Sequence, residues 1–146
     1  PITREISDSA NIIQSTCDVH PLSLDGRRAL FSLEVNNCID SMNELGVYVV
    51  GYFSVRDEVP ALVAGIDIGS RIISVRGCRI NNSADLRKVI KETAPGSAVF
   101  VEIKQPNANK NDITIVRTLE YMPVNEAKYD WPSDRKCSTI GLKQAK

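Results

Sequence analysis

The chain has 146 residues, 42% apolar and 25% charged, with 18 Lys plus Arg set against 18 Asp plus Glu. Such a chain fits one compact domain with extensions, and its charge balance argues against nucleic acid or an anionic membrane as main partner, since both demand a basic excess. No apolar run approaches the roughly 20 residues that a membrane-spanning helix needs.

Residues 1–14 (PITREISDSANIIQ) read as a polar N-terminal arm, and STCDV, 15–19, turns strand-like. HPLSLDGRR is a loop in which Asp25-Gly26 marks a turn. ALFSLEV, 29–35, alternates Leu30 against Phe31, Leu33 and Val35, as a half-buried strand does. NNCIDSMNEL is a connector with turn residues at its start. GVYVVGYFSV, 46–55, is rich in β-branched and aromatic residues and predicts a strand, with Gly51 marking a bulge.

VPALVAGI places proline at the start and glycine at the end of a short helix. RIISV is a buried strand, and GCRI follows it after a turn at Gly77. NNSADLRKVIKETAPG is the clearest helix. Asn82 or Ser83 caps it, Asp85 sits in its positive first turn, and Leu86, Val89, Ile90 and Thr93 share one face. Pro95-Gly96 stops it. SAVFVEIK, 97–104, is a strand, and ITIVRTLEYM pairs back on it as a hairpin. Residues 123–146 lack any period and read as a C-terminal tail, which leaves 15–122 as the domain.

The four cysteines, Cys17, Cys38, Cys78 and Cys137, show no clustered zinc spacing and are read as reduced thiols of a cytoplasmic protein, with two disulfides as the alternative. His20, the only histidine, lacks a supporting nucleophile, because Gly69-Ser70 and Gly96-Ser97 carry no nucleophile-elbow pattern. The chain is therefore read as non-enzymatic, with no metal and no cofactor.

One segment resembles a known family. Pro60, Ala61, Ala64, Gly65, Ile66, Gly69, Ile72, Val75, Gly77 and Ile80 match, at the same spacing, the most recognisable stretch of PDZ domains. Ser70 and Arg76 depart from it, where the family usually has Asp and Asn or Asp. The resemblance covers residues 15 to 104, and the hairpin to about 120 is similar to the bacterial protease-associated branch. It implies a mainly β fold: a partly open barrel or sandwich of five to six strands, capped by a short and a long helix, with an extra C-terminal hairpin strand.

It also implies a function. PDZ domains bind an extended peptide, a free protein C-terminus or an internal segment, which adds as a strand between the second strand and the long helix. Carried over, the implied peptide-binding residues are Arg27, Arg28, Ala29, Leu30, Phe31, Ser32, Leu33, Glu34 and Val35 on the loop and strand, with Ser83, Leu86, Arg87 and Ile90 on the helix. In this register Leu30 stands where the family's carboxylate-binding loop has glycine. A second register places that loop at Leu45-Gly46-Val47, and the first is preferred because the second leaves too few residues before Pro60 for another strand. Two other readings stay open: a regulatory PDZ unit of a protease whose catalytic domain lies elsewhere, and a structural domain with its groove blocked by residues 1–14 or 123–146.

Overall fold

The computed structural model describes residues 17, 20, 26–53, 58–121 and 135–145. The expected arm at 1–14, most of the strand expected at 15–19 and much of the loop after it lie outside these residues.

The strand expected at 29–35 is two strands. β1 (Arg28–Leu30) ends where the chain turns at Phe31 and Ser32, and β2 (Leu33–Ile39) runs on through Asn36, Asn37 and Cys38, residues expected to form a connector. The turn falls later, where Asp40 Oδ1 accepts the N–H of both Met42 and Glu44, each at 2.9 Å. β3 (Leu45–Tyr52) returns along β2, and the register slips between Glu34, opposite Gly51, and Val35, opposite Val49. That is the irregularity expected beside Gly51.

α1 (Pro60–Val63) opens on its proline. β4 (Arg71–Val75) and β5 (Cys78–Arg79) form a tight hairpin through Arg76 and Gly77, both at positive φ, 55 and 78. A two-residue loop with both residues left-handed matches the twist of the strands it joins. Arg76 stands at the Asn/Asp position of the family pattern and is buried there. Its Nε donates to Thr93 Oγ1 at 3.2 Å and its Nη2 to Glu92 O at 3.4 Å, closing the C-terminal end of the long helix.

That helix, α2 (Ser83–Lys91), is capped by Asn82, whose Oδ1 accepts the Asp85 N–H. Leu86 and Val89 are buried and Ile90 packs beside them, as its apolar spacing predicts. β6 (Ala98–Lys104) and β7 (Asp112–Arg117) make the expected hairpin, but at Thr118 the chain leaves it, and β8 (Leu119–Tyr121) pairs with β1 instead. Residues 135–145, expected as a tail, return to the domain. A 3-10 turn (Cys137–Ile140) leads into β9 (Lys143–Gln144), which pairs with the far end of β2.

The strands make two sheets. One runs β7-β6-β4-β3-β2-β9 with β5 attached to β4, and the other is β1 with β8. The sheet is open rather than closed, and Phe31, Leu33, Val35, Val47, Val49, Ile72, Val101 and Ile103 meet Leu86 and Val89 in one core. This is the mainly β sandwich with one short and one long helix.

The reading of reduced thiols is corrected. Cys17 bonds to Cys78 and Cys38 to Cys137, with Cα–Cα separations of 4.9 and 5.8 Å. Partners 61 and 99 residues apart in sequence leave no spacing pattern, because a disulfide requires only that the fold bring two Cβ atoms together. The cytoplasmic assignment rested on those thiols and loses that support.

His20 is a structural residue. Its N–H donates to Glu92 O at 3.0 Å, and its Nδ1 accepts the Ala94 N–H at 3.1 Å, so it ties the segment next to Cys17 to the end of α2. Burial, then the charge of Arg76, lowers its pKa below the ordinary 6.5. A depressed folded-state pKa gives a contribution that is whole above about pH 6.5 and is lost as pH falls through the folded value. Amide exchange at Ala94 should therefore quicken on acidification below pH 6.5, and in His20→Phe it should be fast and independent of pH over the same range, after correction for intrinsic exchange.

Candidate functional site

The site is built where β1 gives way to β2 beside α2. Leu30 is extended and paired with Leu119, so the place of the family's glycine is not Leu30. The left-handed residue is Ser32, φ 62, between Phe31 and Leu33. The glycine position of the family's carboxylate-binding loop thus falls two residues later than the sequence register put it, with serine in its place. The reason is mechanical: β1 belongs to the sheet with β8 and β2 to the larger sheet, and the crossing between them falls at Phe31–Ser32. The second register is also settled, since Leu45, Gly46 and Val47 form the regular start of β3.

An ordinary L-residue in the left-handed region costs about 1–2 kcal/mol. Ser32 is also 1% exposed, and among the described residues its hydroxyl has no hydrogen-bond partner. Ser32→Gly should therefore raise stability by about 1 kcal/mol in chemical denaturation. A loss of stability would show that the hydroxyl is needed where it stands.

Strand alternation decides which main-chain groups face outward. Phe53 N donates to Ser32 O at 3.1 Å, which makes Leu33 and Tyr52 a non-hydrogen-bonded pair and turns the Leu33 N–H and C=O away from β3. At the other end Asn37 O accepts the Ala145 N–H at 3.0 Å, so Asn37 faces the same edge. Val35, between them, faces that edge too. Among the described residues, main-chain pairing on this edge begins at Asn37, and neither the Phe31 nor the Ser32 N–H meets a main-chain acceptor.

The expected site residues fall into three groups. Ala29, Leu30, Phe31, Ser32, Leu33 and Val35 are buried, and all but Leu30 and Ser32 belong to the main core along with Leu86; Ile90 packs against it, half-buried. Arg27 is exposed and its Nη1 pairs with Glu120 Oε2 at 2.9 Å, an ion pair that draws it toward β8. Arg28 is half-buried in β1. Glu34 pairs with Arg135 at 2.6 Å, and Arg87 is half-buried on α2. Ser83 is the first residue of α2, next to the cap, and is engaged. Its Oγ accepts the Asn37 Nδ2–H at 2.9 Å, and its N–H donates to Asn37 Oδ1 at 2.8 Å.

Asn37 is the residue that sequence reasoning missed. It sits on β2 two residues past Val35 and bridges the strand to the helix N-terminus. Its place in an apparent connector hid it; the alternation of Val35 with Asn37 along a longer strand is the signal that would have found it. Among the described residues, no group of His, Cys, Asp and Glu could hold a metal.

A sheet edge facing an amphipathic helix, with a left-handed loop at its head, defines a PDZ-like domain. The sequence matches the PDZ_2 family, described as PDZ domain, over residues 31–116, and the chain belongs to that family. No curated protein sequence matches it.

Among solved structures, the HtrA-type protease AlgW with a decapeptide superposes with a TM-score of 0.56 at 17% identity, covering 66% of this chain and 30% of that one. A second AlgW structure with decapeptide gives 0.57 at 18% identity, covering 84% and 36%. The HtrA3 PDZ domain bound to a phage-derived ligand (FGRWV) gives 0.52 at 16%, covering 72% and 96%. The chain thus spans about a third of AlgW, and identities this low establish a shared fold.

Proposed function

We propose that this domain is the peptide-receiving regulatory unit of an HtrA-type protease, itself without catalytic groups, and that it holds a C-terminal peptide by strand addition. The observation that carries this is the edge of Leu33 and Val35 that is turned away from β3, beside α2 and beneath the Ser32 turn. An added strand would exchange main-chain hydrogen bonds with that edge, and the N–H groups at Phe31 and Ser32 offer a nest for a carboxylate. Burial of one aliphatic end residue over Leu86 and Ile90 would contribute ~1.5–3 kcal/mol. The solved relatives held peptides in the protease AlgW and in the HtrA3 PDZ domain, which supports the same use here. The β6–β7 hairpin and the likeness to the AlgW and HtrA3 structures favour the protease-associated branch over a free-standing scaffold module. Two disulfides support work in an oxidising compartment.

Titration with a peptide ending in valine, once with a free carboxylate and once amidated, tests the reading. The free acid should bind about tenfold more tightly, as expected for loss of a charge-assisted hydrogen bond. Amide signals of Leu33 and Val35 should move on binding. Equal binding of both forms, or movement confined to other strands, would overturn it.

A further inference from the structure

The edge that would receive a ligand is already half used, and what uses it has a ligand's polarity. β9 runs antiparallel to β2, with Lys143 opposite Ile39 and Gln144 opposite Cys38, and the Ala145 N–H continues the pairing onto Asn37 O. Its direction carries the chain from the far end of β2 toward Ser32, as a C-terminal ligand would run.

The segment is built onto the strand at several points. Cys137, beneath β9, is bonded to Cys38 of β2. Asn36 Nδ2 donates to Arg135 O at 2.9 Å, and Gln144 Nε2 donates to Asn36 Oδ1 at 2.8 Å and to Asn37 O at 3.2 Å. Arg135 reaches Glu34 across the face of Gly51, where an added Cβ would lie 2.8 Å from the Arg135 side chain. At the same level the gap between β2 and α2 is crossed by the paired Asn37–Ser83 hydrogen bonds.

Resting on the peptide-receiving reading, we propose that residues 135–145 and the Asn37–Ser83 bridge are a stop that sets ligand length: the groove accepts only the last four or so residues of a protein C-terminus. Between Ser32 and Asn37 the strand spans about 16 Å at roughly 3.3 Å per residue. A ligand fixed by its carboxylate at the Ser32 turn pairs with Leu33 and Val35 and then meets Ala145 on Asn37. Residues further upstream gain no main-chain partner. An internal segment, which must pass through both ends of the groove, is excluded by the same contact.

The experiment compares a tetrapeptide and an octapeptide sharing one valine-terminated sequence, titrated into the wild-type chain, into Ala145→Pro and into the Cys38→Ala/Cys137→Ala double variant. Ala145→Pro removes the N–H that bonds Asn37 and keeps the disulfide, so it reads the stop even if the double variant folds poorly. In the wild type the two peptides should bind within about twofold of each other, with the Ala145 amide still protected from exchange. In the Cys38→Ala/Cys137→Ala variant, where residues 135–145 can leave β2, the octapeptide alone should gain about tenfold. In Ala145→Pro, where Gln144 Nε2 still bonds Asn37 O, it should gain in the same direction but less. Octapeptide binding that is already about tenfold tighter in the wild type, with the Ala145 amide exposed on titration, would overturn the stop and leave the receptor reading intact. Silence from both peptides in all three proteins would overturn the receptor reading itself, and the stop with it.

Discussion

Replacing Cys38 and Cys137 together by alanine is expected to cost about 2–4 kcal/mol of unfolding free energy, more than any surface change could. The bond closes a loop of 99 residues, for which the chain-entropy account gives about 4–5 kcal/mol. The smaller figure is expected because of where the loop ends. Once the bond is gone, residues 135–145 can detach from β2 without the rest of the sandwich opening. What is lost is then limited by what that segment contributes: the Asn36, Asn37 and Glu34 contacts and the small cluster of Cys38, Tyr48 and Cys137 with Ile140 and Leu142. Alanine is the right replacement because both sulfurs are buried at 0% exposure, and serine would add two hydroxyls there. Denaturant unfolding with amide exchange would check it. Exchange at Ala145 should rise at once, while Val47 and Val49 in the core remain protected up to global unfolding. A loss below about 1 kcal/mol would mean that the segment is held to β2 by its hydrogen bonds and not by the sulfur bridge.

The pattern of what the residues revealed follows from the range of the forces involved. α2 was legible because Leu86, Val89 and Ile90 repeat with the helix period and Asn82 and Asp85 punctuate its start, all within one short window. The Pro60-to-Ile80 segment was legible for the same local reason: Gly65, Gly69 and Gly77 take positive φ, 82, 95 and 78, at spacings that turns alone dictate. What failed was each feature decided by the partner of a strand. ALFSLEV reads as one alternating run, and nothing in it announces that Leu30 will pair with Leu119 and Leu33 with Tyr52 in different sheets. NNC reads as a connector because asparagine favours turns, yet Asn36 and Asn37 stay extended because Arg135, Gln144 and Ser83 take up their side chains. The segment after Lys136 has no period because a two-residue strand and a single 3-10 turn are too short to show one, and the sulfur bridge with β2 holds what periodicity could not. The helix and its apolar face were read directly, whereas the left-handed turn lies two residues beyond its expected place because only the crossing between sheets fixes which residue turns left-handed.

The second large effect is expected at Leu86. This side chain is 1% exposed and meets the core formed by Phe31, Leu33, Val35 and Val89. Leu86→Ala removes three carbons from a packed interior, and the surroundings can close only partly, because β2 is pinned to β3 along its whole length and to α2 through Asn37–Ser83. A loss of about 3 kcal/mol is expected, within the 2–5 kcal/mol usual for such truncations. Stability and any peptide affinity should fall together, so that variant alone does not separate a core role from a groove role. Leu86→Met does: it keeps the volume and should cost under about 1.5 kcal/mol. If Leu86 also floors the slot opposite Leu33, the flexible methionine should weaken the preference for valine at the ligand end over larger aliphatic residues while the fold stays intact. Unfolding curves beside titrations with valine- and leucine-ended peptides give both numbers. An unchanged preference in Leu86→Met would confine Leu86 to the core and move the end-residue pocket toward Ile90, the half-buried residue one turn further along the helix.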